Sequence, residues 1–160
     1  MQNTGSNIGI IPRTPHPKPR YKKSAAVKEL ETMAFEEAKQ RHPSIDPKYL
    51  APRTYRDDRA NGLTKCIVDY ITLRGGMASR INSSGVWDKK LNKYRIPTQK
   101  RGLADIWATY RGLSLQIEVK IGRDRQSEHQ KQVEQQQTDA GGLYYIARNF
   151  SEFKEWFDSL

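Results

Sequence analysis

Two acids and an amine, Asp105, Glu118 and Lys120, meet in one small patch if the chain between them folds as a β-hairpin. Residues 113–121 alternate in the two-residue period of a strand. Leu113, Leu115, Ile117, Val119 and Ile121 fall on one face, and Ser114, Gln116, Glu118 and Lys120 on the other. Arg111 and Gly112 supply the turn, and residues 103–110 are the expected partner strand. With the faces matched, Asp105 shares the side that carries Glu118 and Lys120. Mg²⁺ takes one or two carboxylates in near-octahedral array and keeps several waters. Asp105 and Glu118 could supply those carboxylates to Mg²⁺ or Mn²⁺, and the Val119 carbonyl a third oxygen. Lys120 would then be the point charge that holds a water nucleophile or a phosphate oxygen. A plain salt-bridge cluster on a strand face is the competing reading of the same residues.

The flanking segments decide whether this patch can be built. Thr98-Gln99-Lys100-Arg101-Gly102 leads into Asp105, with Lys100 and Arg101 placed to meet incoming phosphate. Gly102 lets the backbone come close to the site. After Lys120, the loop Gly122-Arg123-Asp124-Arg125 offers Arg123 and Arg125 as further backbone contacts for a nucleic acid. Ser127 is the expected N-cap of a helix running to about Ala140, in which Val133 is the only strongly apolar residue of 126–137. Gly141-Gly142 stops it, residues 143–147 read as a core strand, and Asn149 or Ser151 caps a last helix whose Phe153, Trp156, Phe157 and Leu160 pack inward.

The pattern of Asp, short hairpin, then Glu118-Val119-Lys120 resembles the catalytic core of the PD-(D/E)XK nucleases. Gln126-Ser127-Glu128-His129-Gln130, a helix, and the strand after Gly141-Gly142 sharpen the resemblance to the VRR-NUC branch (virus-type replication-repair nucleases), over residues 61–150. The resemblance implies an α/β, restriction-endonuclease-like core with a mixed central sheet flanked by helices. It implies Mg²⁺-dependent hydrolysis of DNA phosphodiesters leaving a 5′-phosphate, on a flap, junction, end or nick. Asp105, Glu118, Lys120 and Gln130 would be the catalytic set, and a phage or mobile element the source. Arg80 and Asn82 match an Arg-x-Asn of relatives, where the Arg holds a phosphate; tying strand to turn is the structural alternative. His129 is a weaker candidate base. The chain departs from the family in two places. Gly102-Leu103-Ala104 replaces the usual Pro before the Asp. Asn61, Thr64 and Lys65 stand where relatives carry a Glu, the nearest acids being Asp57, Asp58 and Asp69.

The 160 residues carry a net charge of +10, which suits a polyanionic partner. Residues 1–23 hold five basic residues and no acid, 24–100 hold fifteen basic and nine acidic, and 101–160 hold eight and nine. The positive field therefore comes from the half preceding the acids. Residues 1–23 read as a disordered, basic, Pro-rich arm, 24–58 as an accessory helix and connector, and 59–160 as the nuclease-like domain. Residues 86–97 read as an exposed hairpin of aromatics and lysines, with Trp87 covering the core as the alternative. Cys66 is the only cysteine and is expected to be a buried, inert thiol. With no apolar run of membrane length, the expected location is cytoplasmic. The expected partner is DNA, with a homodimer required only for a junction substrate. The alternative function is a nucleic-acid-binding or assembly protein that keeps the nuclease fold without chemistry.

Overall fold

The computed structural model describes residues 20–81, 86–95 and 100–160. Asn82, one of the expected phosphate contacts, lies outside them. So does all of the arm except Arg20 to Lys23. Helix α1 (Ala25–Arg41) starts at Ser24, whose hydroxyl accepts the Val27 amide at 3.2 Å. Helix α2 (Ala60–Leu73) follows Arg59 at its N-cap and begins without a side-chain cap. Asp58 is unavailable because both its oxygens bond Arg56, at 3.0 and 2.7 Å.

Four strands make a mixed sheet in the order β1 (Met77–Arg80), β4 (Ile106–Tyr110), β5 (Leu113–Val119), β6 (Leu143–Ala147). The first two pairings are antiparallel and β5–β6 is parallel. Helix α3 (Glu128–Asp139) crosses between β5 and β6, and α4 (Phe150–Asp158) follows β6. The β4–β5 turn has positive φ at both Arg111 and Gly112, the two-residue geometry whose twist matches the strands it joins. β4 begins at Ile106, three residues later than the sequence pattern suggests. Asp105 instead closes the end of the hairpin, its carbonyl accepting Ile81 N–H at 2.8 Å.

One face of the sheet is apolar. Ile106, Ala108, Tyr110, Leu115, Ile117, Val119 and Ala147 pack against Val27, Leu30 and Ala34 of α1, one side of α2, and Phe150, Phe153 and Phe157 of α4. The first helix is thus built into the same core as the sheet. Cys66 is fully buried there, and burial pushes its thiol up to about 12, so no thiolate forms near neutral pH. Among the described residues no helix is long and apolar enough to cross a membrane.

A separate ribbon, β2 (Val86–Asp88) with β3 (Lys93–Arg95), stands off this body. Trp87 and Tyr94 pair across it at 5.5 Å and are 47% and 69% exposed. Trp87 therefore does not cover the core.

Candidate active site

The second face of the sheet is polar, and α3 lies over part of it. Glu118 occupies this face because its neighbours Ile117 and Val119 are committed to the core. The pairing of Ile106 with Ile117 carries forward to set Asp105 opposite Glu118. Asp105 Oδ2 accepts the Val119 amide at 2.9 Å, which fixes the carboxylate against the end of β5. Lys120 continues the β5–β6 ladder, donating its amide to the Ala147 carbonyl at 2.9 Å. Its ammonium meets Glu118 Oε1 at 2.9 Å and Asp124 Oδ2 at 3.5 Å.

Gln130 joins them through local helix chemistry. Ser127 and Gln130 form a reciprocal capping box. Gln130 Oε1 accepts the Ser127 amide at 2.9 Å, which turns its Nε2 outward to donate to Glu118 Oε1 at 2.5 Å. The loop before Asp105 leans on the same helix end. Gly102 has φ +82°, and a Cβ there would stand 2.5 Å from the His129 carbonyl group. We expect Gly102→Ala to cost about 1–3 kcal/mol through the left-handed backbone and the clash together. Thermal denaturation measures this, and an unchanged Tm would show that the loop is not held against α3.

Glu118 and Lys120 are only 2% and 6% exposed, whereas Asp105 is half-buried. Burial pushes the Glu118 carboxyl above its ordinary value, and the nearby Asp105 adds to this, outweighing the pull of Lys120. Burial draws the Lys120 ammonium down, but Glu118 and Asp124 more than offset it and hold it above its ordinary value. The Glu118 shift has a stability consequence. The folded protein keeps a proton at pH values where the unfolded chain has lost it. The stabilisation is complete below the unfolded value of 4.5 and is lost as pH rises through the folded value. Without added metal, Tm should therefore fall as pH climbs above 4.5, and Glu118→Gln should flatten that dependence.

The donor set fits a small oxygen-seeking divalent ion. Glu118 Oε2 is buried with no hydrogen-bond partner among the described residues, and the Asp105 carboxylate accepts the Val119 amide through its Oδ2. Groups of three or more acidic, histidine or cysteine ligands are absent among the described residues. A site of two carboxylates completed by a carbonyl and waters is a Mg²⁺ arrangement rather than a Zn²⁺ one.

The other expected contacts are dispersed. Lys100 bonds Gln136 of α3, and Arg101 is exposed beside it. Arg123 and Arg125 are exposed on the loop after Lys120. Arg80 pairs in register with the core residue Ile106 and is exposed at the sheet edge, so it does not share the face of Asp105. His129 is exposed and contributes its backbone to the contact with Gly102.

The acids near α2 serve the scaffold. Asp57 accepts Tyr21 Oη–H at 2.8 Å and the Phe150 amide at 3.3 Å, and Asp69 accepts Tyr55 Oη–H at 2.7 Å. Three neighbours of the patch were not anticipated. Asp124 is four residues beyond Lys120, a spacing that is readable only once the loop geometry is known. Tyr144 opposes Gln116 across the parallel pairing, and burial together with Glu118 raises its phenol. Arg148 follows β6 and donates to the Asp124 carbonyl at 3.4 Å.

Comparison with protein-family models, with curated proteins and with solved structures finds no match to this chain.

Proposed function

We propose that this protein is a Mg²⁺- or Mn²⁺-dependent DNA nuclease built on a restriction-endonuclease-like core. The observation that carries the reading is the convergence of Asp105, Glu118, Lys120 and Gln130 at one end of the hairpin, with a buried oxygen of Glu118 left without a partner. Asp105, Glu118 and the Val119 carbonyl would hold the ion. When bound, it supplies Lewis-acid stabilisation of charge on the phosphate and lowers the pKa of a coordinated water. Lys120 is held as an ammonium, so it donates hydrogen bonds to the attacking water or to a non-bridging phosphate oxygen and does not itself take the proton. Gln130 and Lys120 both bond Oε1 of Glu118, which leaves Oε2 as the oxygen available to an ion. Water adds to phosphorus and the P–O3′ bond breaks; the proton the water loses passes through solvent to the departing O3′, and the products are a 5′-phosphate and a 3′-hydroxyl. Lys100, Arg101, Arg123 and Arg125 supply the positive rim for the DNA backbone.

A second reading is favoured by one observation, the burial of the Lys120–Glu118 pair at 2.9 Å. Such a pair can be a purely structural ion pair in a protein that binds nucleic acid without cleaving it. The two readings separate on a panel of flap, four-way junction, single-stranded and linear duplex DNA with Mg²⁺ or Mn²⁺. Cleavage that disappears in a Lys120 variant supports the nuclease. The same trace activity in both proteins marks a contaminant and leaves the binding reading.

A further inference from the structure

Val119 and Ala147 are register partners at the carboxyl ends of the parallel strands β5 and β6. Ligands of open α/β sheets commonly bind outside such ends. Here a cavity of about 370 Å³ opens between the two loops, lined by Gly122, Arg123, Asp124, Arg125 and Arg148. Three arginines thus line one small space, and Arg148 reaches across it to the Asp124 carbonyl at 3.4 Å. The only carboxylate there is already engaged. Asp124 Oδ1 accepts the Arg125 amide at 2.9 Å, and Oδ2 faces Lys120 at 3.5 Å. No carboxylate pairs with Arg123, Arg125 or Arg148 among the described residues. Positive groups brought together without a counter-charge repel unless an anion joins them, and a guanidinium fork matches phosphate oxygens in geometry. Asp124 bonds Lys120, so the cavity lies next to the catalytic patch.

We propose that Arg123, Arg125 and Arg148 form a pocket for a second phosphate of the nucleic-acid strand whose scissile phosphate lies over Asp105 and Glu118. The placement of the scissile group rests on the nuclease reading; the pocket itself does not. Arg148 thereby becomes a positioning residue that sets how the strand enters the site.

The test is binding of a fluorescent oligonucleotide by anisotropy in EDTA, so that no cleavage enters the measurement. Each phosphate neutralised on duplex DNA contributes about 0.9 to the slope of log K against log salt. Because the pocket takes one phosphate, Arg123→Ala/Arg125→Ala should lower the slope by about 0.9, and Arg148→Ala by up to the same amount. The double variant touches neither Lys120 nor the Asp124 carbonyl, and so guards against a folding defect in Arg148→Ala. Unchanged slopes in both variants, or no binding by the wild type, would overturn the pocket. Oligonucleotides with a 5′-phosphate or a 5′-hydroxyl distinguish the source of the phosphate. A preference for the phosphorylated end that vanishes in the variants identifies a terminal phosphate. Slope loss without such a preference identifies an internal phosphodiester. Arginine-dependent slopes in a protein that does not cleave would retire the nuclease reading and keep the pocket. Lysine-dependent cleavage with unaltered slopes would do the reverse.

Discussion

Lys120→Met should lower DNA cleavage by about 10²–10³-fold, the effect of deleting one preorganised donor to a developing oxyanion, while DNA binding changes little. The methionine fills most of the lysine's volume, so no large cavity confounds the result. What it removes is the ammonium 2.9 Å from Glu118. If Glu118 stayed ionised, leaving it alone in a buried site would cost about 3–5 kcal/mol. Burial already favours its protonated form, so proton uptake reduces that cost. Lys120→Met/Glu118→Gln should accordingly be more stable than Lys120→Met, because the stranded charge is gone. A thermal melt run beside each cleavage assay separates a chemical effect from unfolding. Wild-type cleavage in a folded Lys120→Met protein would remove the lysine from the mechanism.

Divalent metal should raise Tm, and Glu118→Gln should abolish the rise. At a free ion concentration of about 100 times Kd, binding to the folded state alone adds about 2.7 kcal/mol. For a domain of this size that is roughly 5–11 °C. Three physical effects support the prediction. A bound ion would give Oε2 of Glu118 a partner, would offset the like-charge repulsion between Glu118 and Asp105, and would favour the ionised form that burial opposes. Binding must then release a proton wherever Glu118 was protonated beforehand, so the metal-induced shift grows with pH. Asp105→Asn should weaken the response too, while its amide oxygen can still accept the Val119 N–H. An undiminished shift in both variants would place the ion elsewhere.

The hairpin was legible because its alternation is uninterrupted from Leu113 to Val119 and because Arg111-Gly112 is a recognisable two-residue turn. Period alone was enough to put Glu118 and Lys120 on one face. The capping box at Ser127 and Gln130 was half visible. Ser127 reads as a cap, but that the glutamine's other end reaches Glu118 depends on where α3 docks. The start of α2 is not marked by its cap, because Asp58 is a good cap in isolation and only the folded chain gives it to Arg56. The single core shared by α1, α2 and α4 was hidden for a similar reason. The stripe of α1 is narrow, and its partners are aromatics more than a hundred residues away. Asp124, Tyr144 and Arg148 were invisible as a group, since parallel pairing of β5 with β6 brings them together over long sequence separations.

Helix α3 contributes one buried apolar side chain, Val133, and is otherwise moored by glutamines: Gln137 to Gln116 and Ser114, and Gln130 to Glu118. Hydrogen bonds of this kind exchange readily with water, so little free energy separates the docked helix from a detached one. Its amides should exchange with solvent through sub-global opening while those of α2 wait for complete unfolding. Each such opening would also withdraw the amide of Gln130 from Glu118. The fraction of time the Asp105, Glu118, Lys120 and Gln130 constellation exists is thus set by the adhesion of a single polar helix rather than by the strength of the aromatic core beneath it.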